Sequence, residues 1–247
     1  MSSLTKGVLL LGGTGSRLAP LNRVSNKHLI NIAGKPMSQW PLEKLIEAGI
    51  TDLLIISGRE HMGSIISYFG SGREFGGSIT YKVQEAAGGI ADAIKLTHGF
   101  VHDGDFFFVV LGDNIFNDPI PVTLVTEDTK IVLTTTFSET PERFGVFDHS
   151  TQRIVEKPEE YVSNDVMSGI YGYRYDTEFR HILNNLTPSA RGELEVTDLN
   201  NAIIDICSAE NMELVELEGY WTDAGTHSSL RTATELKYEE QQFSSIG

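Results

Sequence analysis

The sequence predicts an α/β fold, Rossmann-like and layered, with a mostly parallel, mixed central sheet flanked by helices and a further part inserted in the second half. Three observations predict it. Through about residue 140, apolar runs of strand length alternate with segments of helical period, as in strands joined by crossover helices. A glycine-rich turn, Gly12-Gly13-Thr14-Gly15-Ser16-Arg17-Leu18, directly follows the first apolar run. The length of 247 residues suits one large domain, read here as one part over 1–140 and a second part with a C-terminal helix over 141–247.

Strands are expected at Gly7 to Leu11, Asp52 to Ser57, Ile79 to Val83, Phe106 to Leu111 and Ile131 to Phe137, each rich in β-branched or aromatic residues. Helices are expected between them at Pro41 to Ala48, His61 to Phe69 and Gly89 to Phe100. Pro41 suits a first helical turn and Gly49 a helix end. Beyond residue 140 come short strands at Gly145 to Phe147, Arg153 to Glu156 and Ser168 to Tyr173. Helices follow at Thr177 to Asn184 and Thr197 to Ile206, then a strand at Glu213 to Leu217 and a helix from Ser228 to Gln241.

A formal charge of −15 argues against a nucleic-acid or anionic-membrane surface, which needs clustered Lys and Arg. Any anion must therefore be held by a few local cations. The single cysteine, Cys207, excludes an intrachain disulfide and multi-cysteine metal sites; it is expected to fill core space on a helix, in a reducing cytoplasm. No stretch approaches the roughly 20 apolar residues of a membrane span, so a soluble protein is expected.

The glycine-rich turn is neither a Walker loop nor a dinucleotide fingerprint, because Leu18 stands where the latter needs its third glycine. It reads either as a plain tight turn or as a phosphate cradle, with backbone N–H groups converging on an anion and Arg17 and Lys27 adding charge. Ligands of open α/β sheets sit beyond the carboxyl ends of the strands. Asp113 lies there, after the apolar run Phe106 to Leu111. It is either a ligand for Mg²⁺, which favours hard oxygens, or the close of a turn. Asp223, in Tyr220-Trp221-Thr222-Asp223-Ala224-Gly225-Thr226, is either a second metal carboxylate or a cap before the last helix.

Taken together, the glycine turn with Pro20 and Lys27, Gly112-Asp113-Asn114, Glu156-Lys157-Pro158 and Trp221-Thr222-Asp223-Ala224-Gly225-Thr226 resemble the sugar-1-phosphate nucleotidyltransferases. The resemblance runs through nearly the whole chain and implies a nucleotide-binding part over 1–140 and a sugar-binding part, inserted in the second half, with a C-terminal helix over 141–247. Lys35-Pro36-Met37, Arg143-Phe144-Gly145-Val146, Ser168-Gly169-Ile170-Tyr171 and the stretch Arg191 to Asp198 look most like the glucose-1-phosphate thymidylyltransferases.

The resemblance implies transfer of a nucleotidyl group from dTTP to glucose 1-phosphate, by in-line attack at the α-phosphorus with Mg²⁺ held by Asp113 and Asp223. The product, dTDP-glucose, would feed deoxysugar synthesis such as that of dTDP-rhamnose. It also implies residue roles. Arg17 holds the leaving pyrophosphate and Lys27 contacts the triphosphate. Gly12, Gly13, Thr14, Gly15 and Asp113 border the nucleotide. Gln84 offers a donor and an acceptor to thymine or uracil, with Gly89 completing that edge. Lys157 and Arg191 grip the sugar phosphate, while Asn114, Gly145, Glu156 and Met167 line its pocket. Trp221 is expected in the core. Symmetric self-association is a further expectation.

Other readings stay open at this stage. A solvated lysine is the alternative for Lys27 and Lys157, a solvent-facing side chain for Gln84, a strand bulge for Gly145 and a surface ion pair for Glu156. At the level of function, UTP or another sugar 1-phosphate is possible, as is a non-catalytic nucleotide-sugar-binding regulatory protein; five charged motif residues retained together, Arg17, Lys27, Asp113, Lys157 and Asp223, favour the enzyme. Leu11 departs from the alanine usual in the family and is expected to shift the nucleotide or alter selectivity. Gly88-Gly89-Ile90-Ala91 replaces the more usual Gly-Leu-Ala near the base.

Overall fold

A computed structural model describes residues 5–13, 15–23 and 25–244; the expectation for Thr14 lies outside the described residues. Four strands form the parallel half of the main sheet: β1 (Thr5–Leu11), β4 (Asp52–Gly58), β5 (Ser78–Gln84) and β6 (Phe106–Leu111). Between β1 and β4 lie the two-residue strands β2 (Asn31–Ile32) and β3 (Lys35–Pro36), paired as a small hairpin. β1 is central, parallel to β4 on one side and β6 on the other.

The second half adds β8 (Ile131–Phe137), β9 (Gly145–Asp148), β10 (Arg153–Glu156), β11 (Asp165–Arg174) and β12 (Met212–Glu216). They continue the same sheet, in the order β10-β9-β11-β6-β1-β4-β5, with β8 joining β11 to β12. β11 runs antiparallel to β6, β8 and β9, so the sheet is mixed.

Alternation along β1 divides the core. Val8 and Leu10 face a cluster shared with α3 (Ile90–Lys95), α4 (Thr177–Asn185) and α5 (Val196–Ile204). Leu9 and Leu11 face a second cluster shared with α1 (Gln39–Glu47) and α2 (Met62–Phe69). This period of two is what a strand buried on both faces requires. Leu11 is fully buried against Gly112, where an added Cβ would come within 2.1 Å of it. Its side chain therefore packs in the second core cluster, while Leu10 borders the cavity described below.

Three elements differ from the sequence expectation. The helix expected over Gly89 to Phe100 ends at Lys95, because Phe100 and Val101 both donate to the Thr97 carbonyl and Gly99 turns the chain at φ 79°. Cys207 follows α5 rather than lying on it and is half-buried. A three-residue ladder, β7 (Asn114–Phe116) with β13 (Trp221–Asp223), is too short to leave a periodic trace. α6 (His227–Ser244) follows, and Thr226 Oγ1 accepts from the Ser229 N–H as it begins. Among the described residues no helix is long and apolar enough to cross a membrane.

Candidate active site

The carboxyl ends of β1, β5 and β6 converge on a cavity of about 240 Å³, bordered by Gly12, Gly13, Lys27, Gln84, Gly89 and Asp113. A second cavity of about 330 Å³ adjoins it and includes Arg17, Asn114, Glu156, Lys157, Met167 and Arg191. The two share Ile90, Leu111, Asp113 and Glu193.

The first cavity is organised by one buried ion pair. Lys27 lies on a short 3-10 turn whose start is held by Asn26, which accepts from the His28 N–H at 2.8 Å. This aims Lys27 Nζ at Asp113 Oδ2, 2.7 Å away, with both side chains under a fifth exposed. Burial alone would raise the Asp113 carboxyl, but the Lys27 charge, the neighbouring His28, the Lys27 hydrogen bond and a backbone hydrogen bond together outweigh burial and hold it at about 2. His28, wholly buried beside Lys27, is kept well below its ordinary value by burial and then by that lysine. Gln84 ends β5 with its amide nitrogen donating to the Gly89 carbonyl at 3.1 Å and to Asp92 Oδ2 at 2.8 Å. Of the donor and acceptor that the sequence offers, only the oxygen is therefore left for a ligand.

The second cavity opens where β11 changes neighbours. Its pairing with β8 shifts between Met167 and Tyr171, and Gly169 there has φ 84°, a conformation glycine adopts freely. The Ser168 carbonyl accepts from the Asn114 amide and from Trp221 Nε1, pinning the β7–β13 ladder to the break. Trp221 is half-buried and stands edge-on to Phe144 at 5.5 Å. It packs against the second core cluster, as expected, and also lines this cavity.

Opposite the break, charged groups interlock. Arg191 Nη2 reaches Glu156 Oε1 at 3.0 Å and Glu195 Oε2 at 2.8 Å. Glu156 Oε2 also accepts from the Thr197 hydroxyl at 2.6 Å. Lys157 Nζ is 3.4 Å from Glu156 Oε1, on a backbone at φ 44° whose N–H is tied to the Phe144 carbonyl. Gly145 begins β9 directly across from Glu156.

Asp223 pairs across the ladder with Asn114, and the next residue, Ala224, donates its N–H to the Asp113 carbonyl at 2.8 Å. Burial pushes the Asp223 carboxyl up; Arg143, 3.3 Å away, opposes this and Asp113 adds to it. Arg17 lies on an exposed turn, and a Cβ at Gly225 would sit 3.2 Å from its Nη2 and 3.3 Å from Asp223 Oδ2. An ionised Asp113 beside an Asp223 whose own ionisation it disfavours is a fit for a divalent cation. No group of three or more His, Cys, Asp or Glu that could hold a metal exists among the described residues. A hard cation completed by substrate phosphates and water suits a two-carboxylate donor set, which is the habit of Mg²⁺. Arg143 and Asp92 were missed as site residues. Arg143 belongs to a motif read only for resemblance, and the Gly88-Gly89 doublet was the sole signal near Asp92.

A two-compartment site at the carboxyl ends of parallel strands, with Asp113 at the junction, Asp223 in the second compartment and cations on both sides, fits an enzyme class that brings two phosphate-bearing substrates together. Comparison with known proteins agrees. The family model described as nucleotidyl transferase matches residues 6–240. A glucose-1-phosphate thymidylyltransferase of Xanthomonas campestris is 40% identical over 92% of this chain and 79% of its own. One from Neisseria meningitidis is 35% identical over 98% and 85%. A solved structure from Bacillus anthracis, provisionally named a glucose-1-phosphate thymidylyltransferase and in complex with a sucrose, is 44% identical, covers 94% of each chain and has a TM-score of 0.86. The chain belongs to the nucleotidyl transferase family, among its sugar-1-phosphate nucleotidyltransferases.

Proposed function

We propose that the protein joins dTTP to glucose 1-phosphate, giving dTDP-glucose and pyrophosphate. The observation that carries this reading is the meeting of the two cavities at Asp113, with the glycine turn, Lys27 and Gln84 on one side and Lys157, Arg191 and Glu156 on the other. The names of the Neisseria and Xanthomonas relatives support the choice of substrates.

A phosphate oxygen of the sugar attacks the α-phosphorus; the new O–P bond forms as the bond to pyrophosphate breaks in line. The attacking group is the substrate's own, so the residues position and neutralise. Lys157 and Arg191 hold the sugar phosphate, and Glu156 accepts from sugar hydroxyls. Lys27 meets the triphosphate and Arg17 takes up the charge on the departing pyrophosphate. Mg²⁺, held by Asp113 and Asp223 when bound, supplies charge neutralisation at the phosphate oxygens.

The test is pyrophosphate release over a grid of dTTP, UTP, GTP, ATP and CTP with several sugar 1-phosphates, with and without Mg²⁺. The expected result is turnover greatest with dTTP and glucose 1-phosphate, dependent on Mg²⁺ and slowed about a hundred- to a thousandfold by Asp113→Asn. A clear preference for UTP would replace the thymidylyl assignment, since an amide such as that of Gln84 meets both bases alike and a methyl discriminates weakly. Silence in every combination would overturn the catalytic reading.

A further inference from the structure

The Gln84 amide is held in one orientation by Gly89, which borders the nucleotide cavity, and by Asp92, which does not. An amide nitrogen carries two hydrogens, and here they go to Asp92 Oδ2 at 2.8 Å and to the Gly89 carbonyl at 3.1 Å. Both partners are acceptors only. Turning the amide over would set its oxygen against a carboxylate and a carbonyl, so the amide oxygen is left facing the glycine turn; a Cβ built on Gly12 would lie 3.4 Å from it.

Asp92 reaches Gln84 from the first turn of α3. The space it uses is vacated by Gly88, where a Cβ would fall 2.6 Å from Asp92 Oδ2. The glycine doublet that departs from the family's usual Gly-Leu-Ala thus has a physical partner four residues on.

We propose that Asp92 is a positioning residue for nucleobase selection: by holding the Gln84 amide nitrogen, it presents the amide oxygen as a pure acceptor. That acceptor favours a pyrimidine with N3–H, thymine or uracil, over cytosine, whose N3 is itself an acceptor. The inference rests on the reading of Gln84 as the base contact made under the proposed function.

The experiment compares kcat/KM for dTTP with that for CTP in the wild type, Asp92→Ala, Asp92→Asn and Gln84→Ala. The wild type should favour dTTP by about a hundredfold or more, since a mismatched base leaves a buried polar group unpaired. Asp92→Ala should lower that ratio about tenfold or more, with KM for glucose 1-phosphate unchanged. Asp92→Asn, whose Oδ1 accepts the same hydrogen bond, should keep most of the preference. Equal losses with both nucleotides in Asp92→Ala, leaving the ratio intact, would overturn the positioning role. Gln84→Ala separates the two layers: a collapsed ratio there with an intact one in Asp92→Ala removes only the role of Asp92. An intact ratio in Gln84→Ala removes the base contact itself. Equilibrium binding of dTDP and CDP reads the same ratio for any variant too slow to assay.

Discussion

The two cavities, proposed for the nucleotide and for the sugar phosphate, place cations in a chain of net charge −15 by opposite means. In the first, a single cation is buried 2.7 Å from a single carboxylate. In the second, Arg191, Lys157, Glu156 and Glu195 form a network in which the cations are two-fifths or more exposed. A buried pair stakes much on each partner, because removing one leaves an uncompensated charge. Exposed pairs are screened and individually weak. The compartments are also stitched together: Leu194 donates to the Gly88 carbonyl at 2.7 Å and accepts from the Ala91 N–H at 3.1 Å. The segment carrying Arg191 and Glu195 is thereby fastened to the turn that follows Gln84.

The largest effect should come from Lys27→Met. Turnover should fall about a hundredfold or more. The same variant breaks the buried pair, and the pH dependence of stability reads this directly. The Asp113 carboxyl is held at about 2 against an ordinary 3.8, so its pairing stabilises the fold above the ordinary value by about 2 kcal/mol. That contribution is lost as pH falls through the folded value. Thermal melts without added divalent cation should therefore show Lys27→Met less stable near neutrality, with the gap closing as pH drops from the ordinary carboxylate range towards 2. A constant gap across that range would mean that Asp113 is not what Lys27 stabilises.

Arg191→Ala should have a smaller and different effect. Its guanidinium is shared between two carboxylates at an exposed rim, so the fold should tolerate the loss while KM for the sugar 1-phosphate rises about tenfold. Steady-state kinetics with the sugar 1-phosphate varied will reveal it. An Arg191→Ala protein that lost as much stability as Lys27→Met would erase the contrast between the compartments.

Leu11→Ala should leave catalysis nearly untouched. The side chain packs under Gly112 on the face away from the nucleotide cavity, so nucleotide preference should stay within about twofold, while a core truncation of this kind costs about 2–5 kcal/mol. Denaturant unfolding beside the nucleotide grid measures both; a changed base preference would place Leu11 in the site after all.

Strong, local signals made the scaffold legible. Phe106–Leu111 and Ile131–Phe137 are strands within the expected bounds, because long apolar β-branched and aromatic runs have few other uses. The glycine turn and Asp113 followed from where such runs stop. What escaped were features defined by a distant partner. The β7–β13 ladder brings Asp223 to Asp113 across about a hundred residues of chain through three paired positions, and nothing local encodes that pairing. Arg143 acquires meaning only beside Asp223, and Asp92 only beside Gln84. Trp221 does pack against the core, but its ring nitrogen finds the Ser168 carbonyl where β11 breaks, a partner no local signal names.

The break in β11 also governs how this pocket can change over time. One wall of it is the place where one strand parts from another, and that wall cannot be lengthened or trimmed as a loop can. Sliding β11 by one residue to enlarge the opening would turn every alternate side chain from one face of the sheet to the other, and both faces are filled core. New sugar preferences in descendants of this chain should therefore arise by replacing wall residues such as Met167, with the strand register left alone.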